Sequence, residues 1–162
     1  MSTVYTINGK VLKNAANDKW LTKKEEVDPY NPLGLPLNTV RVRTSDGNAP
    51  SYMGQAPLYN TATLVAGTND VYDVYKSGTS FEYVLYASLN VVEIIGANTE
   101  GIINVNSMFW GCTNVQSGAL ELYQQFSSQP VPPSNHSQTF YNCGSNTTTG
   151  AAELAQIPSD WK

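Results

Sequence analysis

A short phrase that occurs twice near the C-terminal end constrains this chain more than any other sequence feature. The first copy covers residues 108–112 (MFWGC) and the second covers residues 139–143 (TFYNC). In each copy a Cys stands three residues after a Phe, and a polar step follows the Cys. The two cysteines lie 31 positions apart, from 112 to 143, which is within the range of stacked supersecondary repeats. The phrase therefore predicts one structural unit used twice and not a catalytic motif.

The residues before the first copy carry a resemblance to a known family. Residues 89–107 (LNVVEIIGANTEGIINVNS) contain a short apolar strand, a polar turn and a second apolar stretch that leads into the phrase. This segment resembles the leucine-rich-repeat-like (LRR-like) repeats of BspA-type bacterial surface proteins, with units of the form L..VEI.GANT.GI.N...MF.GC.N that stack into a solenoid. Residues 114–125 and 143–161 are similar to the C-terminal cap of such arrays in gut Bacteroidales proteins and their phages. From Leu89 onward, the resemblance implies about one full unit plus the cap.

The N-terminal section, residues 1–28, predicts a small attachment arm. Val4 and Thr6 precede an Asn8-Gly9 dipeptide and Val11 follows it, a pattern typical of a β-hairpin, because Asn-Gly tolerates positive φ at both central turn positions. A lone two-stranded hairpin is marginal in water. We therefore expect this arm to dock on another chain.

Residues 29–37 contain three prolines and disfavour both helix and sheet interior. We interpret this segment as a Pro-rich linker or hinge between the arm and the main domain. The alternative is an ordered irregular connection inside a single domain.

Residues 38–162 predict one mixed α/β domain, so that the fold class is α+β. The patterns indicate strands at residues 38–44, 62–66, 71–75 and 89–95. They favour helices at residues 80–87, 117–128, 134–141 and 150–157, with Ser117 as the N-cap of the second, and a helical turn at 104–110 that places Met108 and Phe109 in the core. The LRR-like part covers residues 89–162 and ends in a helical cap.

The two cysteines, Cys112 and Cys143, occupy the same position of the repeated phrase. Equivalent positions of stacked repeats line up in an apolar interior, where a free Cys behaves as a small buried hydrophobe. We therefore favour buried thiols, with a disulfide as the alternative. We expect no metal site, because His136 is the only histidine and no Cys-x-x-Cys clip occurs.

Catalytic patterns are weak throughout the sequence. His136 lies in a polar stretch without an activated nucleophile, which favours a role in a helix cap. The carboxylates suit a solvated surface better than a glycosidase pair: they are Glu25, Glu26, Asp70, Asp73, Glu82, Glu93 and Glu100. No phosphate-binding glycine loop occurs. We predict no catalytic residue and no cofactor, and we classify the protein as not an enzyme.

Charge and composition limit the partners. The net charge of −4 and the sequence pI of about 4.8 argue against a nucleic-acid partner. We expect no membrane insertion and no signal peptide, because neither a long apolar run nor a basic leader is present. Amphipathic aromatic side chains are typical of protein and sugar contact surfaces, so the tyrosines have two interpretations. They pack in the core or in an interface between copies of the chain, or some of them form a carbohydrate site that the sequence does not locate. Six crowd the middle of the chain: Tyr52, Tyr59, Tyr72, Tyr75, Tyr83 and Tyr86.

The residues and the resemblance together predict a non-enzymatic structural and adhesive protein of a phage particle. A head fibre, a capsid decoration and a tail-fibre part all fit this description. Residues 1–28 attach to other virion proteins, and the C-terminal part projects from the virion surface as a homo-oligomer, such as a trimer, toward a bacterial surface or a mucosal glycan. The alternative is a bacterial cell-surface adhesin domain of the BspA-like type that has lost its leader.

Overall fold

The structure is a computed structural model of the chain and describes residues 6–7, 10–11, 28–51 and 60–162. Strand β1 (Thr6–Ile7) pairs antiparallel with β2 (Lys10–Val11), and Thr6 lies opposite Val11. The predicted Asn8-Gly9 turn and the rest of the arm lie outside the described residues.

A four-stranded antiparallel sheet dominates the first half of the described chain. Its strands are β3 (Thr39–Thr44), β4 (Asn60–Leu64), β5 (Val71–Lys76) and β6 (Val91–Ala97), in the spatial order β4-β5-β3-β6. Side chains alternate between the faces of a strand, so Val40 and Val42 are buried in the core while Arg41 and Arg43 lie on the other face. The half-buried strand predicted at 38–44 is therefore confirmed.

The described residues also contain two α-helices, α1 (Ala119–Ser127) and α2 (Thr148–Gln156), and a short 3-10 helix (Ser159–Trp161). With the antiparallel sheet they confirm the mixed α+β class. Among the described residues, no helix has both the length and the apolarity that a membrane span requires.

The N-terminus of α1 is capped from outside its own sequence. Gly118 occupies the N-cap position in the left-handed region, so the predicted cap at Ser117 is wrong. The carboxylate of Glu153, on α2, accepts from the Gly118 N–H at 3.3 Å and from the Leu120 N–H at 3.1 Å. A carboxylate near the positive end of a helix dipole is favourable. The two helices therefore stabilise each other.

Residues 80–90, 104–115 and 135–147 form three stacked segments of consecutive turns, which we call rungs 1, 2 and 3. Parallel bridges join them at residues 80, 104 and 135. Alternate N–H groups of each rung donate to carbonyls of the next, as from Leu85 to Met108 at 3.0 Å and from Phe109 to Thr139 at 2.8 Å. The two copies of the repeated phrase thus occupy equivalent positions of rungs 2 and 3.

Each rung turns at two equivalent positions that adopt positive φ. The first row is Tyr83, Ser107 and Gln138, and the second is Ala87, Gly111 and Asn142. A non-glycine residue in this region costs about 1 kcal/mol. The recurrence of the same conformation in every rung shows that the stacked geometry, and not local preference, imposes it.

The rungs correct three predictions. Residues 80–87 and 134–141 are not helices, and residues 104–110 are not a helical turn, because these segments make i→i+3 turn bonds interrupted by positive φ. The apolar spacing that suggested helices serves instead to place Phe81, Val84 and Leu85 in the core. The predicted burial of Met108 and Phe109 is confirmed.

The core lies between the inner face of the sheet, the rungs and the helices. Within it, the Phe109 and Phe140 rings stack with centroids 5.9 Å apart. Cys112 and Cys143 are both buried and free, as the repeat position predicted. Burial raises the pKa of the Cys112 thiol to about 12 and raises that of Cys143 as well. Both thiols are therefore held neutral in the apolar interior.

The predicted linker, residues 29–37, is an ordered irregular connection on the surface of the domain. The Tyr30 carbonyl accepts from the Thr99 N–H at 2.9 Å and from the Gln125 side-chain amide at 2.7 Å. The Leu35 side chain is buried, and its carbonyl accepts from the Asn98 amide at 3.0 Å. These contacts tie the segment to the end of β6 and to α1. A hinge function for it stays a prediction.

Candidate functional site

A row of stacked aromatic rings runs across the outer side of the three rungs. The Tyr86 and Trp110 rings are nearly parallel, with centroids 4.6 Å apart and an interplanar angle of 4°. Trp110 stacks in turn on Tyr141 at 5.5 Å and 15°. We call these three residues the aromatic ladder. Tyr83 extends it with an edge contact to Tyr86 at 5.7 Å.

The ladder follows directly from the register of the rungs. Each of its rings comes one residue after a large buried side chain, Leu85, Phe109 or Phe140. In each rung two consecutive residues are buried and the next one carries the ladder ring, so the ladder lies on the side of the rungs away from the core. Rung-to-rung hydrogen bonds then bring equivalent rings to stacking distance. The scaffold therefore holds the rings in place without help from a ligand.

The ladder is reachable from solvent. Tyr141 is 39% exposed, and Tyr86 and Trp110 are half-buried. The adjoining Tyr83 is 40% exposed. Asn106 in rung 2 donates its side-chain amide to the Glu82 carboxylate in rung 1 at 3.2 Å. This polar pair adjoins Tyr83 in the chain, since Glu82 directly precedes it.

The structure disperses the other tyrosines of the predicted group. Tyr72 donates its hydroxyl to the Gly47 carbonyl at 2.7 Å, and Tyr75 is 42% exposed on the outer face of the sheet. Tyr52 and Tyr59 lie outside the described residues. Tyr86 is therefore the member of that group that belongs to the ladder, and Tyr83 contacts it by its edge.

Several of the candidate carboxylates pair with arginines on the outer face of the sheet. Asp73 accepts two hydrogen bonds from Arg41, at 2.7 and 2.8 Å. Arg43 contacts both Asp70 and Glu93. The hydrogen bond with Asp73 raises the pKa of Arg41, and those with Glu93 and Asp70 raise the pKa of Arg43. These pairs support cross-strand registration of the sheet. Glu25 and Glu26 lie outside the described residues.

His136 lies at the edge of rung 3 and not in a helix cap. Its ring stacks on Trp161 with centroids 4.4 Å apart, and its Nδ1 lies 3.0 Å from the Pro133 carbonyl oxygen. Its Nε2 lies 3.4 Å from Asp160. These contacts fasten the C-terminal 3-10 helix to rung 3.

Within the described ranges, no cluster of three or more His, Cys, Asp or Glu side chains has an arrangement suited to a metal ion. The chemistry that the ladder itself offers is non-covalent. Aromatic faces and edges bind apolar surfaces.

Sequence reasoning missed rung 1 and therefore the ladder. A signal for both was present, because residues 84–86 (VLY), 108–110 (MFW) and 139–141 (TFY) share a large side chain followed by an aromatic one. Only the last two triplets belong to the repeated phrase, and the first lacks its cysteine.

No protein-family model, curated protein or solved structure gives a significant match to this chain. The resemblance to BspA-like repeats stays a prediction.

Proposed function

We propose that the protein is a non-enzymatic structural and adhesive component of a phage particle. Its N-terminal arm attaches to other virion proteins, and its C-terminal domain is displayed as a homo-oligomer and binds a surface through the aromatic ladder. The LRR-like character of residues 89–162 belongs to this proposal.

One observation carries the proposal: the ladder is a row of partly exposed rings fixed on a hydrogen-bonded scaffold. Exposed aromatic side chains bind well when their rotamers are already restricted, because little conformational entropy is then lost on binding. Stacking against neighbouring rungs supplies that restriction for Trp110 and Tyr141. The repetition of equivalent positions also supports the resemblance to solenoid proteins, which bind through surfaces built from successive repeats.

The adhesive part of this proposal predicts saturable binding of the full-length chain to intact bacterial cells. We expect Trp110→Ala to weaken the binding at least about tenfold, because it removes the middle ring and its two stacking contacts. The measurement is co-sedimentation of fluorescently labelled protein with cells over a concentration series.

Tyr75→Ala serves as the control, since Tyr75 is an exposed aromatic outside the ladder. Circular dichroism of each variant checks that its fold is retained. Wild-type protein that sediments with no host cell, or an equal loss in Tyr75→Ala, would contradict adhesion through the ladder.

A further inference from the structure

The aromatic ladder has an open end at Tyr141. One face of this ring packs against Trp110, and rung 3 is the last rung in the described part of the chain. The C-terminal 3-10 helix contacts rung 3 away from Tyr141: the Trp161 carbonyl accepts from the Phe140 N–H at 2.9 Å, and the Trp161 ring stacks on His136. The outer corner of rung 3, formed by Gln138, Tyr141 and Asn142, stays exposed.

Two exposed residues with amide side chains are near neighbours of Tyr141 in the chain, Gln138 three positions before it and Asn142 directly after it. Gln138 and Tyr141 belong to one turn, in which the Tyr141 N–H donates to the Gln138 carbonyl at 3.3 Å. Each amide offers both donors and an acceptor. Neither carries a charge. The corner therefore combines one aromatic face with uncharged groups that can bind hydroxyls in either hydrogen-bonding sense.

We propose that this corner is a binding site for a neutral hexopyranose unit of a surface polysaccharide. A pyranose ring has an apolar face of C–H groups, which suits the free face of Tyr141, and a rim of hydroxyls, which suits the amides of Gln138 and Asn142. The chain has a net charge of −4, which disfavours uronic and sialic acids as ligands. This site deepens the proposed function and rests on it.

A single ring with two amides supports only weak binding, with a dissociation constant on the order of 1 mM for one sugar unit. Several copies on one particle raise the apparent affinity through effective concentration. The assay should therefore present the ligand as a polymer and the protein as a multimer.

The test is an array of neutral polysaccharides (glucan, galactan and mannan) and anionic ones (polygalacturonate and polysialic acid), probed with the full-length chain coupled to multivalent beads. We expect binding to at least one neutral polymer, and a loss of at least about tenfold in Tyr141→Ala. Tyr141→Phe keeps the ring and should stay within about threefold of wild type. Tyr75→Ala, which replaces a tyrosine of matched exposure, should bind as wild type does.

Gln138→Gly keeps the test valid if Tyr141→Ala fails to fold. Gln138 has a φ of 55°, so glycine relieves the backbone while removing the amide. We expect this variant to keep the wild-type circular dichroism spectrum and to bind about threefold more weakly or worse, because one hydrogen-bonding group is lost.

Three outcomes would overturn the sugar site: no binding to any neutral polymer, whether or not an anionic one binds; binding that Tyr141→Ala and Gln138→Gly leave unchanged; and concentration-dependent self-association that Tyr141→Ala abolishes. The last outcome would assign the corner to contact between copies of this chain. None of the three contradicts adhesion to cells through the rest of the ladder, which the co-sedimentation of Trp110→Ala decides separately.

Discussion

Replacing Gly118 by alanine should destabilise the protein by at least about 4 kcal/mol. A Cβ at this position would lie 1.8 Å from the Ile94 carbonyl oxygen and 2.8 Å from its carbonyl carbon. Both atoms belong to the backbone of β6, so no side-chain rotation can relieve the clash. Gly118 also has a φ of 93°, which adds strain for any other residue. The variant must separate the start of α1 from the sheet.

The measurement is urea unfolding followed by circular dichroism. Gly101→Ala is the matched control, because Gly101 also has positive φ, at 70°, while a Cβ there has no heavy atom within 4 Å. We expect Gly101→Ala to lower the free energy of unfolding by about 1 kcal/mol, which is the cost of placing alanine at positive φ without a clash. Equal losses in the two variants would contradict the close approach of α1 to β6.

Phe109→Ala should cost about 3–5 kcal/mol, the range for removing a large buried ring. Phe109 is fully buried in the middle rung and stacks on Phe140. Its loss leaves a cavity that the rungs cannot close without breaking the hydrogen bond that the backbone N–H of residue 109 donates to the Thr139 carbonyl. Thermal and urea unfolding measure the effect.

Trp110→Ala, at the neighbouring position, is the control. It should lower the free energy of unfolding by less than half as much as Phe109→Ala does, because the Trp110 ring is only half-buried. The order of these two losses tests the register of the rungs. If Trp110→Ala proves the more destabilising variant, then the buried row and the exposed row have been exchanged.

The sheet and the two α-helices could largely be predicted because their signals are local. The apolar and polar residues that alternate at 38–44 predict β3. The helical spacing of apolar residues before Pro130 predicts α1. The cap of α1 could not be found in this way. Its carboxylate comes from Glu153, 35 positions after Gly118, and that pairing depends on how the helices pack.

The rungs were mistaken for helices for a related reason. Residues 81, 84 and 85 have the spacing of a helix face, and a chain of turns buries the same positions. What separates the two structures is the set of hydrogen bonds to residues 104–110, which no local pattern reveals.

The aromatic ladder is the hardest feature to predict. Its rings are separated by 24 positions, from 86 to 110, and by 31, from 110 to 141. Unequal spacing hides the repeat, because the segment between rungs 2 and 3 includes α1 and the residues that follow it. The tyrosine-rich composition suggested a contact surface or core packing, but only the register of the rungs brings Tyr86, Trp110 and Tyr141 together.

The central claim, a displayed component of a phage particle, is tested most directly by locating the protein. Particles and cell envelopes from the same source culture are separated on a density gradient, and peptides of this chain are quantified in both fractions by mass spectrometry. Immunogold labelling of intact particles then uses an antibody against residues 38–162. We predict that the chain is enriched in particles and that the antibody labels their surface. Enrichment in cell envelopes, with unlabelled particles, would contradict the claim and leave the bacterial adhesin.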